Sequence, residues 1–387
     1  LLDHVRATMA FYHPRCIDPA GGFHHYFKDD GRVYDARSRH LVSSTRFIFN
    51  YAMAYRHFGD TQYQDAVRHG LAFLRNAHRD PQTGGYAWTL HDGVPQDRTN
   101  HCYGLAFVML AYAKALEAGI TEAGAWLDET WELMEQRFWE PEFGLYADEA
   151  SPDWTLSSYR GQNANMHACE ALLAAYEASH NPRYLQRAAL LADNMVNRQA
   201  AETNGLVWEH YHADWSPDWE YNKGDRSNIF RPWGYQPGHQ TEWAKLLLIL
   251  DRHQPSDWRL PRARELFDRA LQSSWDSEHG GMIYGVDCEE QPYDRDKYFW
   301  VQAESIATAA LLADRSQDPE YWRWYERLWS YSWRHFVDHR YGAWFRILDP
   351  DNSRVTDEKS PAGKTDYHTM GACYEVLQVL ASGNQKQ

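Results

Sequence analysis

The chain has 387 residues, 43% hydrophobic and 24% charged, which excludes a disordered, collagenous or coiled-coil protein. Its 39 Lys and Arg against 54 Asp and Glu leave a net charge of −15, an acidic surface that repels phosphate backbones and excludes nucleic acid as an expected partner. No run approaches the roughly 18 apolar residues of a membrane span, and LLDHVRATMAFYHPRCIDPAGG carries no signal-peptide pattern, so the expected location is cytoplasmic.

The first predicted element is GGFHHYF from Gly21, a Gly-started turn running into a short alternating strand. Apolar-periodic helices follow over 45–59 and 61–78, and the turn unit then returns as GGYAWTL from Gly84 and FGLYADE from Phe143. A second helix pair covers 167–180 and 182–200, divided at Asn181-Pro182, where Pro takes the first turn of the new helix. The unit recurs as NGLVWEHYHADW from Asn204 and HGGMIYGVD from His279. A third pair, 301–316 and 319–337, divides at Asp318-Pro319, and YGAWFRILD from Tyr341 is the last copy. One Gly per copy (Gly22, Gly85, Gly144, Gly205, Gly281, Gly342) gives spacings of 63, 59, 61, 76 and 61 residues. Six helix pairs at this period predict an all-α (α/α)6 barrel, a twelve-helix toroid with its short strands at one end. No low-complexity linker interrupts it, so residues 1–387 read as a single domain. Cys16, Cys102, Cys169, Cys288 and Cys373 form no CxxC pair and read as buried free thiols.

Polar groups at the starts of the inner helices are the candidates for chemistry, because a barrel's ligands sit at its mouth. Arg46 interrupts an apolar helix start and either pairs with a structural carboxylate or faces a cavity. In YRGQNANMHACEALLA, Asn163 and His167 share a helical face, with Glu170 three residues on. In GHQTEWAKLLLIL, the spacing of His239 and Glu242 lets the carboxylate orient the imidazole. Trp300, Gln302 and Glu304 open FWVQAESIATAALL, and His368 opens the last helix. His–Glu pairs of this kind move protons on carbon acids near neutral pH. Metal ligation is the competing reading, weakened by the absence of HExxH, and no GxSxG, Walker or GxGxxG motif is present. The expected cofactor is none.

The stretches YRGQNANMH and FRPWGYQPGHQTEWAKLLL resemble the N-acylglucosamine 2-epimerase superfamily, specifically its aldose–ketose isomerase branch, over nearly the whole chain. The resemblance implies an (α/α)6 barrel that interconverts D-mannose and D-fructose, and also D-lyxose and D-xylulose, through a cis-enediolate without a metal. It implies His239 and His368 as catalytic groups. Arg46, Tyr103 (in YGLAFVMLA), Asn163, His167, Glu242, Trp300 and Glu304 are implied as substrate-binding and supporting groups. The branch's paired Trp is here Phe299-Trp300, and the run Gly363 to His368 lacks the Trp that disaccharide epimerases place before their YH, which points to a monosaccharide. The competing activities are a sugar 2-epimerase and an inverting glycosidase using Glu242 and Glu304. The pattern suits a monomer and a homo-oligomer equally.

Overall fold

Helix formation follows the apolar periodicity closely in the computed structural model, which describes residues 1–384 except Arg226, Ser227 and Ile229. Twelve α-helices occur among the described residues. They are α1 (Leu2–Tyr12), α2 (Leu41–Phe58), α3 (Thr61–Phe73), α4 (Cys102–Glu117), α5 (Ala123–Arg137) and α6 (Gln162–Ser179), then α7 (Pro182–Asp193), α8 (Pro237–His253), α9 (Arg259–Ser274), α10 (Phe299–Ser316), α11 (Pro319–His335) and α12 (Tyr367–Asn384). Asn181 and Asp318 cap α7 and α11 through their side chains, with Pro182 and Pro319 in the first turn as the sequence predicts.

The even-numbered helices form an inner ring, each packed on the next, and α12 returns to α2. The odd-numbered helices pack outside them. Composition explains the layering: α4 buries nearly its whole length of Ala, Leu, Val and Phe, whereas α11, studded with Arg and Glu, buries only Tyr321, Leu328, Tyr331 and Ser332. The inner partner of α1 is α12, so the sixth helix pair is made from the two ends of the chain. Tyr12 donates to Asp366 Oδ2 at 2.6 Å, and the Trp344 indole donates to His4 Nε2 at 2.7 Å, tying α1 to the C-terminal segment.

The short strands connect outer helices to the inner helices that follow, which gathers them at the end where the inner helices begin. In five of the six aligned positions the Gly has positive φ, between 64° and 89°; in the second copy Gly84, one residue earlier, takes that role at 75°. Each strand entering an inner helix pairs with the strand unit of the next repeat: 38–40 with 89–91, 100–101 with 149–150, 160–161 with 210–211, and 297–298 with 347–348. Tyr235 bridges Val286, and 358–360 pairs back to 26–28, so the strand ring closes as the helix ring does. Side chains from the inner helices clamp these turns. Asn165 grips the main chain of Tyr146, Gln240 that of Val207, and Gln302 that of Met282, each through both its amide groups at 2.8–3.0 Å. Several of the polar residues at inner-helix starts therefore hold the frame and do not face the cavity. No helix of the described residues is long and apolar enough to cross a membrane.

Candidate active site

Six strand-to-helix junctions converge on the barrel axis, so side chains in the first turns of six inner helices meet over one pocket. Its wall holds Arg46 of α2, Tyr103 of α4, Asn163 and His167 of α6, His239 and Glu242 of α8, Trp300 of α10 and His368 of α12. Glu304 is placed differently from the expectation of a sugar contact: one helical turn deeper, it lies behind His368, outside the pocket wall.

Three histidines face the pocket, each with Nδ1 bound to a carboxylate. His368 Nδ1 lies 2.6 Å from Glu304 Oε1, His167 Nδ1 lies 2.9 Å from Glu170 Oε2, and His239 Nδ1 lies 2.8 Å from Glu209 Oε1. A carboxylate accepts, so each ring carries its hydrogen on Nδ1, and Nε2 has no protein partner among the described residues. The orienting role that the i, i+3 spacing suggested for Glu242 toward His239 belongs to Glu209, from a neighbouring repeat. The α8 backbone aims the Glu242 side chain at the axis instead. Trp300 lies across both outer rings, its centroid 4.8 Å from His239 and 5.9 Å from His368. Burial, reinforced by Arg46 and His167, pushes the His368 imidazole well below its usual range, so it is neutral at pH 7.

Arg46 has no carboxylate within ion-pair distance among the described residues. It donates to Gly363 O and, at 3.2 Å, to Tyr103 OH, and its guanidinium stacks over Phe107 and Tyr367 at 4.4 and 4.6 Å. Of the two readings open for Arg46, the structure has it facing the cavity. Glu242 is 1% exposed and neither carboxyl oxygen has a hydrogen-bond partner among the described residues. Burial and the neighbouring Glu304 hold it well above the usual carboxylate range, which favours the protonated acid. Below it, Lys245 Nζ sits 2.5 Å from Glu304, 3.9 Å from Glu242 and 4.0 Å from Glu170. Burial alone would lower this ammonium, and the three carboxyl groups outweigh burial and raise it. Two trios, His167–Glu170–Glu242 and Glu242–Glu304–His368, bring their ligand atoms within 4.8 Å, a cluster no local motif announced. Lys245 places one positive charge among the three carboxyl groups of Glu170, Glu242 and Glu304.

Glu209, Phe230, Tyr284, Arg346 and Lys364 complete the site and were not among the sequence candidates. One signal was available. Counting four residues from the aligned Gly reaches Asp148, Glu209 and Arg346 in three copies, the register at which the turn strand points to the barrel mouth. The longest spacing, 76 residues, accommodates the segment 212–236, which carries Phe230 to a stack on His40 at 5.6 Å beside the pocket. Burial, partly offset by Asp366 at 2.5 Å, lowers the Lys364 amine to about 8.

The twelve-helix toroid belongs to the class of barrels that includes sugar epimerases, and the family model for N-acylglucosamine 2-epimerase (GlcNAc 2-epimerase) matches residues 21–372. The chain belongs to this enzyme family. D-mannose isomerase from Marinomonas mediterranea is 57% identical over 379 residues, 97% of this chain and 96% of that one. A crystal structure of D-mannose isomerase, also 57% identical, superposes with a TM-score of 0.96 over 97% of both chains. A cellobiose 2-epimerase from Spirochaeta thermophila, at 23% identity, shares the fold with a TM-score of 0.86 over 99% of this chain and 95% of that one.

Proposed function

We propose that this enzyme is an aldose–ketose isomerase that interconverts D-mannose and D-fructose, and accepts D-lyxose, by histidine acid–base chemistry. The observation that carries the reading is the pair His239 and His368 on one pocket, each held by a buried carboxylate with Nε2 left for substrate. Likeness to D-mannose isomerase over almost the full chain supports the choice of sugar.

In the proposed reaction neutral His368 Nε2 takes the C2 proton of the open-chain aldose while His239, as imidazolium, gives its Nε2 proton to O1. The C2–H electron pair becomes the C1–C2 double bond. The O2 proton then returns to His239 as C2=O2 forms, and His368 delivers its proton to C1, so both histidines end as they began. Charge developing on O1 and O2 meets Arg46 and the neutral Glu242 acid in a site screened from water. His167, Asn163, Tyr103 and Trp300 form the sugar-binding wall, and Glu304 acts on His368 from behind.

Lys245 among Glu170, Glu242 and Glu304 supports a metal-independent, cofactor-free site. One buried apolar cluster from Val5 to Val379 supports a single domain over 1–387. Five free cysteines, four of them buried, support a reducing compartment, the cytoplasm. The competing inverting-glycosidase reading fares poorly, because Glu242 and Glu304 approach within 4.8 Å, closer than the roughly 6.5–9.5 Å that leaves room for water. Incubation with a panel of aldoses and ketoses, with products separated by sugar chromatography, tests the proposal. D-fructose from D-mannose, carrying deuterium at C1 when the reaction runs in D2O, is the expected result. An aldose inverted at C2 as the sole product overturns it in favour of an epimerase.

A further inference from the structure

We infer that Glu209 is a positioning residue for this reaction, holding His239 as the Nδ1–H form and balancing the imidazolium that serves as the acid. The inference rests on the reading of His239 as a proton-transfer group.

Glu209 lies in the strand unit of the fourth repeat, next to His210–Tyr211, and reaches across to α8 from there. Its carboxylate is 2% exposed and accepts from His239 Nδ1 at 2.8 Å through Oε1 and from Gln162 Nε2 at 3.0 Å through Oε2. Gln162 cannot turn its amide round, because its Oε1 accepts the Trp243 indole N–H at 2.8 Å and an indole only donates. The Gln162 Nε2 group also lies 3.0 Å from His239 Nδ1. That approach would suit a bare Nδ1, but a bare nitrogen would then face a carboxylate oxygen at 2.8 Å, lone pair against lone pair. The charged, shorter contact decides, and Nδ1 carries the hydrogen.

The two histidine–carboxylate pairs of the site differ in one respect. Glu304 already has the Lys245 ammonium at 2.5 Å, so its charge is met whether or not His368 is protonated. Glu209 has no Lys or Arg within ion-pair distance among the described residues, and His239 is its one cationic partner. A buried carboxylate without a fixed counter-charge favours the imidazolium beside it. The asymmetry matches the roles proposed for the two histidines: Glu304 is already met by a fixed cation, whereas Glu209 is placed to balance the charge that His239 carries during proton transfer.

The test compares Glu209→Gln and Glu209→Asp with wild type and with His239→Ala. Glu209→Gln keeps the shape and removes the charge, and should lower kcat by about 10²-fold or more, between the losses seen for outer-shell partners of ligating histidines and for the triad carboxylate. KM should change by less than about threefold, since the sugar does not touch Glu209. Glu209→Asp, which restores the charge, should recover at least about a tenth of the wild-type kcat. Equal losses in both variants that follow their thermal stability, or a wild-type kcat in Glu209→Gln, overturn the inference. Nitrogen-15 NMR of the unliganded wild-type enzyme needs no variant to fold. A protonated Nδ1 on His239 is expected, and a bare Nδ1 overturns the inference. If His239→Ala itself turns over normally, the reading of His239 fails; if it is inactive while Glu209→Gln is not, only the role of Glu209 fails.

Discussion

His239, His368 and His167 share a geometry, an imidazole held through Nδ1, yet they are expected to respond differently to removal. His368→Ala should lower kcat by about 10²–10⁴-fold, the range of a general acid–base group, with a smaller change in KM. His239→Ala should be comparably damaging, whereas His167→Ala should act mainly on KM; steady-state kinetics of folded variants separate the three. Glu242 offers a sharper distinction. A neutral buried acid that donates to an enediolate oxygen is mimicked by an amide, so Glu242→Gln should keep activity within about tenfold, while Glu242→Ala should lose about 10²–10³-fold, as when an oxyanion donor is removed. Near-complete loss in Glu242→Gln would show that the ionised form is the working one. Lys245 fills the place that a cation would take among Glu170, Glu242 and Glu304. Activity is therefore expected to survive exhaustive EDTA treatment, and a loss restored by one divalent metal would refute that expectation.

At the scale of the element, the clamps between inner helices and turns carry a measurable share of stability. Gln302 closes both hydrogen-bonding groups of Met282, which is fully buried, and Gln240 does the same for Val207. Gln302→Ala would leave a buried N–H and a buried C=O unpaired, each costing about 1–3 kcal/mol. Urea unfolding should show a loss of at least about 2 kcal/mol, against a few tenths for an exposed Gln such as Gln82. These clamps occupy the same helix turns as the catalytic groups. The α8 sequence HQTE puts His239 and Glu242 on the pocket and Gln240 on the frame, because successive residues of a helix face directions about 100° apart.

The whole molecule is closed twice, by its helices and by its strands, and the closure buries several histidines as neutral rings. Burial lowers His4, His78 and His210 to about 4 and His40 to about 3. In the unfolded chain these rings take up protons near 6.5, before the folded protein does. Their contribution to stability is therefore complete above about pH 6.5 and is lost as the pH falls toward 4 and then 3, at up to about 1.4 kcal/mol per unit for each ring. Asp148, raised to about 6 by burial against the pull of Arg231, and Glu242, also raised by burial, work in the opposite sense. Urea midpoints at pH 7, 6 and 5 should fall in that order, and a constant midpoint would contradict the depressed values.

Much of this architecture was legible in one dimension. The period near sixty residues, the left-handed glycines, and the Pro and capping signals between paired helices are local consequences of backbone sterics and hydrogen bonding, and these do not depend on what the chain later packs against. The same is true of the polar residues at inner-helix starts, eight of which reach the pocket because a helix start carries its first-turn side chains wherever it goes. What only the tertiary structure decided is pairing across repeats. Glu209 reaches His239, and Lys245 reaches Glu304, from elements 30 and 59 residues away in sequence. The sixth helix pair forms from the two termini, and Glu304 turns out to lie behind the pocket wall. In each case the outcome depends on which side chains the closed ring brings within about 3 Å, and Coulombic and hydrogen-bond energies at that range are set by distance in space, to which spacing along the chain is blind.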